Sequence, residues 1–212
     1  MGPLPRDPAG LADAYRVAPG RHLRVNFIEA LDGAISVQGR SGGLGSDGDR
    51  RVFRTLRALA DGVLVGAGTA AAEGYRPVLA DSAVGVLRSE LGRDPVVPVV
   101  IVSRRASLRP GDQLVTDAVV PTLLVTCGAA DPARRAALAA AGVTVLVCEG
   151  GPALFTAALA AGVVDELALS IAPLLVGGGP GLLPVALSAP TSARLVQTLE
   201  EDGVLFTRYR LS

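Results

Sequence analysis

The chain has 212 residues, half of them hydrophobic but only 3% aromatic, with no Trp, and its 20 basic side chains balance 20 acidic ones. That length suits one α/β domain with a core of its own, and zero net charge without a basic run argues against a protein that tracks nucleic-acid phosphates. Every basic side chain is Arg, so mechanisms that need a lysine Schiff base or a lysine general base are excluded.

Taken in chain order, residues 1–21 carry Pro3, Pro5, Pro8 and Pro19 and are expected to form an irregular arm with one helical turn around 11–15. Residues 22–212 are expected to form a single domain. β-branched apolar runs predict strands over 23–29, 62–65, 97–102, 122–126, 143–148, 166–171 and 205–210. Helices are predicted over 47–60, 69–73, 131–141 and 153–161; Asp131-Pro132 opens the third and Gly142 closes it. In the first of these, Phe53, Leu56, Leu59 and Ala60 recur at helical spacing and set one face toward the core. Gly, Asp and Ser scattered through 78–96 predict a surface excursion. The βαβ order predicts a three-layer α/β fold: a mostly parallel central sheet, with the C-terminal strand antiparallel to the strand that starts at Glu166.

Cys127 and Cys148 end apolar runs, as small buried thiols do, and neither has metal-ligand spacing. His22, the lone histidine, reads as an ordinary solvated residue. The N-terminus lacks a signal-peptide core, and no apolar run reaches the ~18 residues of a membrane helix, so a cytoplasmic protein without metal, nucleic-acid or membrane partners is expected.

Glycine-bearing loops follow three apolar runs: VGAGT at 65–69, EGGP at 149–152 and VGGGPG at 176–181. In a parallel sheet such loops open into the crevice where ligands bind. Gly150, Gly151 and Pro152 form a turn that leads into a helix, whose first free amides attract phosphate. Gly66 and Thr69 fit an anion-binding turn, because a threonine hydroxyl can cap a helix and bond phosphate; a plain tight turn fits the pattern too. Ser103 and Arg104 close a strand with a hydroxyl and a planar cation, which suits a 2′-phosphate contact and a solvated pair alike. Glu149, between a buried run and two glycines, is expected to face a ligand or a partner. Asp49, Arg50, Arg51, Arg54 and Arg57 share one helix, and position alone does not pick out a functional member.

Together NFIEALDGAISVQGRSGG (26–43), TLRALADGVLVGAGTAAAEG (55–74) and CEGGPALFTAALAAGVVDELALSIAPLLVGG (148–178) resemble the reductase domain of the riboflavin-biosynthesis deaminase/reductase family. The resemblance runs from about residue 22 to the C-terminus. It implies a dihydrofolate-reductase-like fold and an NADPH-dependent reductase that converts a ribosylamino-pyrimidine 5′-phosphate to the ribitylamino product, without metal or flavin. It implies a homodimer; the apolar strand from Glu166 and the VGGGPG loop are the interface candidates in the sequence itself. Cofactor contacts implied by the resemblance are Ala30, Gly43, Thr69, Glu73, Ser103 and Gly150, Gly151, Pro152, Ala153 and Leu154. Implied substrate contacts are Ser41, Arg57 for the ribose phosphate, and Glu149. Asp32 is expected to be a structural turn residue. Asp49 matches the acid that dihydrofolate reductases hold against the pterin ring, giving it an expected role in binding the pyrimidine or delivering a proton. Departures are Asn26 where many bacterial members carry Lys, and Glu73-Gly74-Tyr75 where they carry an acid, Asn and Pro; Arg76 stands near the place of a further family Arg. The sequence has no H-x-E with paired cysteines, so the zinc deaminase half is missing from it. Two other readings stay open: pterin reduction on the same fold, for which Asp49 is the warrant, and a non-catalytic NADP-binding module.

Overall fold

The computed structural model describes residues 1–105, 107–126 and 145–212; the predicted helix over 131–141 and Cys127 lie outside them. Strands β1 (Gly2–Pro3), β2 (His22–Ala30), β3 (Gly62–Gly66), β4 (Val99–Ser103), β5 (Leu123–Thr126), β6 (Val145–Cys148), β7 (Glu166–Ala172), β8 (Ala193–Glu201) and β9 (Val204–Leu211) form one sheet. Its order is β1-β8-β9-β7-β2-β6-β3-β4-β5. All neighbours run parallel except β9, which is antiparallel to both β7 and β8. The expected antiparallel pairing of the last strand with the Glu166 strand is therefore present.

Helices α1 (Pro8–Tyr15), α2 (Asp47–Leu59), α3 (Ala67–Glu73), α4 (Ala83–Glu90), α5 (Gln113–Thr116) and α6 (Pro152–Ala160), with a 3-10 turn over Ser41–Gly43, complete the described elements. Alternation along the strands divides the core into two faces. Val63, Val65, Val147 and Ala168 pack with α1 to α5, whereas Val25, Cys148, Leu167 and Leu169 pack with Phe155 of α6. The result is three layers. On α2, Val52, Leu56 and Leu59 are buried, each worth at most about 1.5–3 kcal/mol. Ser46 caps α2 by accepting from the Asp49 amide at 3.0 Å.

Three expectations change. The N-terminal arm is ordered: β1 pairs with β8, and Leu4, Leu11, Ala12 and Tyr15 enter the core. Its prolines misled because Pro8 stands at the first turn of α1 behind the Asp7 cap, where proline is favoured. The stretch 78–96 contains α4, capped by Ser82. Arg88 on α4 is 4% exposed and donates to the carbonyls of Arg57, Ala58 and Ala60, closing the C-terminus of α2. Finally β8 had no predicted counterpart, because its first residues are exposed and carry no clean alternation. It leaves β7 in the interior, between β2 and β9, so the Glu166 strand offers no edge to a partner.

Candidate active site

β6 ends at Cys148, and Glu149 follows it between the two halves of the sheet crevice, its amide donating to the Leu64 carbonyl at 2.8 Å. Its side chain is 2% exposed. Arg57 Nε and Nη2 grip the two carboxylate oxygens at 2.7 Å each, and the Tyr75 hydroxyl donates to Oε2 at 2.7 Å. The guanidinium stacks between the rings of Phe53, at 4.4 Å, and Tyr75, at 5.1 Å. Burial works against the charge of Arg57, but Glu149 and Tyr75 outweigh it and hold the guanidinium protonated. Burial, reinforced by the Glu149 charge, likewise pushes the Tyr75 phenol up and keeps it a donor.

Beside this cluster lies a cavity of about 230 Å³, whose walls include Ser41, Asp49, Thr69, Glu73, Glu149 and Gly151. A second cavity of about 570 Å³ adjoins it through Ile28, Phe53 and Tyr75 and is edged by Arg50, Arg54, Arg57 and Arg76. Asp49 comes from the first turn of α2; burial raises its pKa, against which a hydrogen bond from Ser170 acts. Glu73 Oε1 accepts from the Ser41 amide at 2.9 Å and its hydroxyl at 3.0 Å, joining the loop before α2 to α3.

The glycine loops meet as a backbone cradle. Gly66 N donates to Gly150 O at 2.7 Å, and Gly150 has φ +93°. A Cβ on Gly151 would lie 2.4 Å from Thr69 Oγ1, so a side chain there would force the threonine hydroxyl to turn away or the two loops to part. Pro152 opens α6.

The predicted site residues are thus only partly gathered. Ser41, Asp49, Thr69, Glu73, Glu149, Gly151 and Pro152 line one cavity, and Gly66 and Gly150 adjoin it. Ala153 and Leu154 follow in the first turn of α6. Arg57 stands at the edge of the larger cavity with its fork on Glu149. Ala30 is buried at the end of β2, and Gly43 packs near Val37. Ser103 ends β4, where its hydroxyl accepts from the Ser107 amide at 3.2 Å and meets Ser107 Oγ at 3.0 Å, while Arg104 is exposed. Asp32 accepts from the amides of Val176 and Gly177, a turn residue that ties down the VGGGPG loop. Tyr75 was missed as a site residue. Its only signal was an aromatic beside a polar loop.

The fold is dihydrofolate-reductase-like. A dihydrofolate reductase from Enterococcus faecalis superposes with a TM-score of 0.55 at 14% identity, covering 90% of this chain and 96% of that one. A pyrimidine reductase-like protein from Corynebacterium diphtheriae gives 0.74 at 24% identity, covering 91% and 92%. Within that class, the family model described as the RibD C-terminal domain matches residues 21–201, and the chain belongs to that family. A 2,5-diamino-6-ribosylamino-4(3H)-pyrimidinone 5′-phosphate reductase from Methanothermobacter thermautotrophicus is 27% identical over 215 residues, covering 87% of this chain and 96% of that protein. The riboflavin biosynthesis protein RibD of Mycobacterium tuberculosis is 27% identical over 158 residues, covering 74% of this chain but 43% of that protein. The match therefore spans less than half the length of that relative.

Proposed function

We propose that this chain is an NADPH-dependent reductase that converts a ribosylamino-pyrimidine 5′-phosphate to its ribitylamino product. The observation that carries the reading is one cavity in which the expected substrate side (Ser41, Asp49, Glu149) meets the expected cofactor side (Thr69, Glu73, Gly151, Pro152). Family membership and the named pyrimidinone phosphate reductases among the relatives support it.

The residues present fit a dinucleotide. The cradle of Gly66, Gly150 and Gly151 with the start of α6 would hold the pyrophosphate, and exposed Arg104 would favour a 2′-phosphate. When bound, NADPH would supply hydride. The chain's own contribution is to orient and to exclude water. Phe27, Ile28, Ile35 and Phe53 give the cavity apolar walls, and Asp49 holds a carboxyl with raised proton affinity among them. The Arg57–Glu149 pair, locked by Tyr75, would position the cavity floor, with Arg54 and Arg76 left at the wider mouth for an anionic substrate.

The buried acid Asp49 also favours a second reading, pterin reduction on the same site. Purified protein mixed with NADPH and the ribosylaminopyrimidinone phosphate is expected to oxidise the cofactor, and dihydrofolate to leave it unoxidised. The opposite pattern rejects the first reading for the second, and binding of NADPH without oxidation on either substrate points to a non-catalytic module. The protein is further proposed to be a cytoplasmic homodimer, supported by the exposed Leu195 and Val196 on β8 and Leu175 on the following loop of β7; sedimentation at working concentration tests this. Among the described residues no helix is long and apolar enough to cross a membrane and no His, Cys, Asp and Glu group could hold a metal.

A further inference from the structure

Helix α3 has a cavity on each side. Thr69, Ala72 and Glu73 line the active-site cavity of about 230 Å³. Ala67, Ala70 and Ala71, three and four residues apart on the opposite side of the helix, line another of about 580 Å³. This rear cavity lies between α3, Ile101 near the end of β4, and the loop that leads into α5. Thr69, Ser103, Gly150 and Gly151, the cofactor candidates of the crevice, do not line it. It stands by the carboxyl ends of β3 and β4, where parallel strands admit ligands, and its volume falls within the ~300–1,000 Å³ of small-molecule pockets.

Its walls define the occupant. The three alanine side chains end at Cβ and, with Ile101 and Leu114, make a smooth apolar slot that suits a flat ring. Gln113 adds an amide that can both donate to and accept from the polar edge of such a ring. Arg76 and Arg109 are exposed at the cavity, and among the described residues neither guanidinium has an acid partner. The carboxylate on the wall, Asp112, is turned onto the Arg109 amide, from which it accepts at 2.7 Å. Two unmatched planar cations at one slot suit the oxygens of a phosphate.

We propose that the rear cavity is a second ligand site that takes a nucleoside monophosphate, its base in the alanine slot and its phosphate on Arg76 and Arg109. Arg76 also edges the wider mouth of the active site, where the reductase reading uses it for an anionic substrate. One guanidinium serves both cavities, so an anion behind α3 draws that charge from the mouth and weakens substrate binding. This coupling rests on the pyrimidine-reductase reading; the site itself does not.

The test uses the full chain saturated with NADP+, which fills the cofactor's own adenosine site, and adenosine 5′-monophosphate as the probe. Calorimetric titration is expected to give one saturable site with a Kd below about 1 mM, weakened at least about tenfold in Arg109→Gln. Binding is expected to be abolished in Ala71→Phe, which fills the slot from an exposed position on α3. Neither residue lines the active-site cavities, so kcat and KM without the probe are expected to stay within about twofold in both variants. With the probe saturating, the wild-type KM for the ribosylaminopyrimidinone phosphate is expected to rise about fivefold or more at unchanged kcat, and that of Ala71→Phe to hold. If the phenylalanine variant does not fold, Arg109→Gln, on an exposed loop, carries the binding test alone. No saturable binding, or binding that the variants leave intact, overturns the site and leaves the reductase reading to its own turnover assay. Binding that depends on Arg109 and Ala71 with an unmoved KM overturns the coupling through Arg76. The same binding in a wild-type chain that turns over no pyrimidinone phosphate keeps the site and rejects the reductase reading.

Discussion

Two buried carboxylates, Glu149 and Glu166, have the same kind of surroundings but stand at opposite ends of their strands. Glu166, at the start of β7, receives Arg24 Nε at 2.5 Å and Arg208 Nη2 at 2.8 Å. Those arginines go on to the backbone carbonyls of Tyr15 and Ala14, so the cluster fastens α1 to the sheet. Glu149, at the end of β6, receives Arg57 and Tyr75, and its neighbours line a cavity. A buried charge is therefore not by itself the mark of a site. The end of the strand at which it stands decides: ligands enter at the carboxyl ends of parallel strands, and the opposite ends are free to serve stability.

The comparison is broken most severely by Glu166→Ala, which strands two guanidiniums in the interior. A loss of at least about 3–5 kcal/mol in urea unfolding is expected, with KM unchanged in whatever folds. Glu166 also gives the contrast a pH signature. Burial pushes its pKa up, but Arg208 and Arg24 outweigh burial and hold it below the ordinary value. A depressed carboxylate contributes stability above the unfolded pKa and loses it as pH falls through the folded one, so the acid-side loss of stability should shrink in the variant.

Glu149→Gln should do the reverse: a smaller stability loss of about 2 kcal/mol, but a drop in kcat/KM of about a hundredfold, measured by steady-state NADPH oxidation. Equal kinetic damage from both substitutions would erase the distinction between the two clusters. Tyr75→Phe removes one donor to the Glu149 carboxylate and keeps the ring on Arg57, with an expected stability cost of about 1–2 kcal/mol and a tenfold fall in kcat/KM. Asp49→Asn sharpens the contrast from the other side. Its raised pKa means that the folded state binds the proton more tightly, so stability falls as pH rises from the unfolded to the folded value. Replacement by the neutral amide is expected to raise stability at neutral pH by up to about 1 kcal/mol while turnover is lost, a trade typical of functional positions.

Much of the centre of the molecule was legible in the sequence. The strands β2, β3, β6, β7 and β9 and the helix α2 announce themselves because their apolar periods report burial directly. The turn between β6 and α6 was legible as well, with Gly150 at a positive φ and Gly151 close against Thr69. What stayed hidden depends on partners distant in the chain. Glu149 was recognisable as an acid in need of company, but Arg57 stands 92 residues away and Tyr75 stands 74 away, and no local pattern couples them. The same holds for α1, whose burial is decided by Glu166 and β9, and for β8, an element whose exposed residues lack the alternation of a strand with one face in the core.

Asp49, Phe53 and Arg57 stand four residues apart on α2, so they rise from it like teeth on a comb and share one rigid mount. Arg88 grips the last carbonyls of that mount from α4. A residue that lines neither cavity therefore sets the height of three cavity residues at once. Loosening that grip would detune acid, ring and cation in concert, a fault that no single substitution within the cavity could imitate.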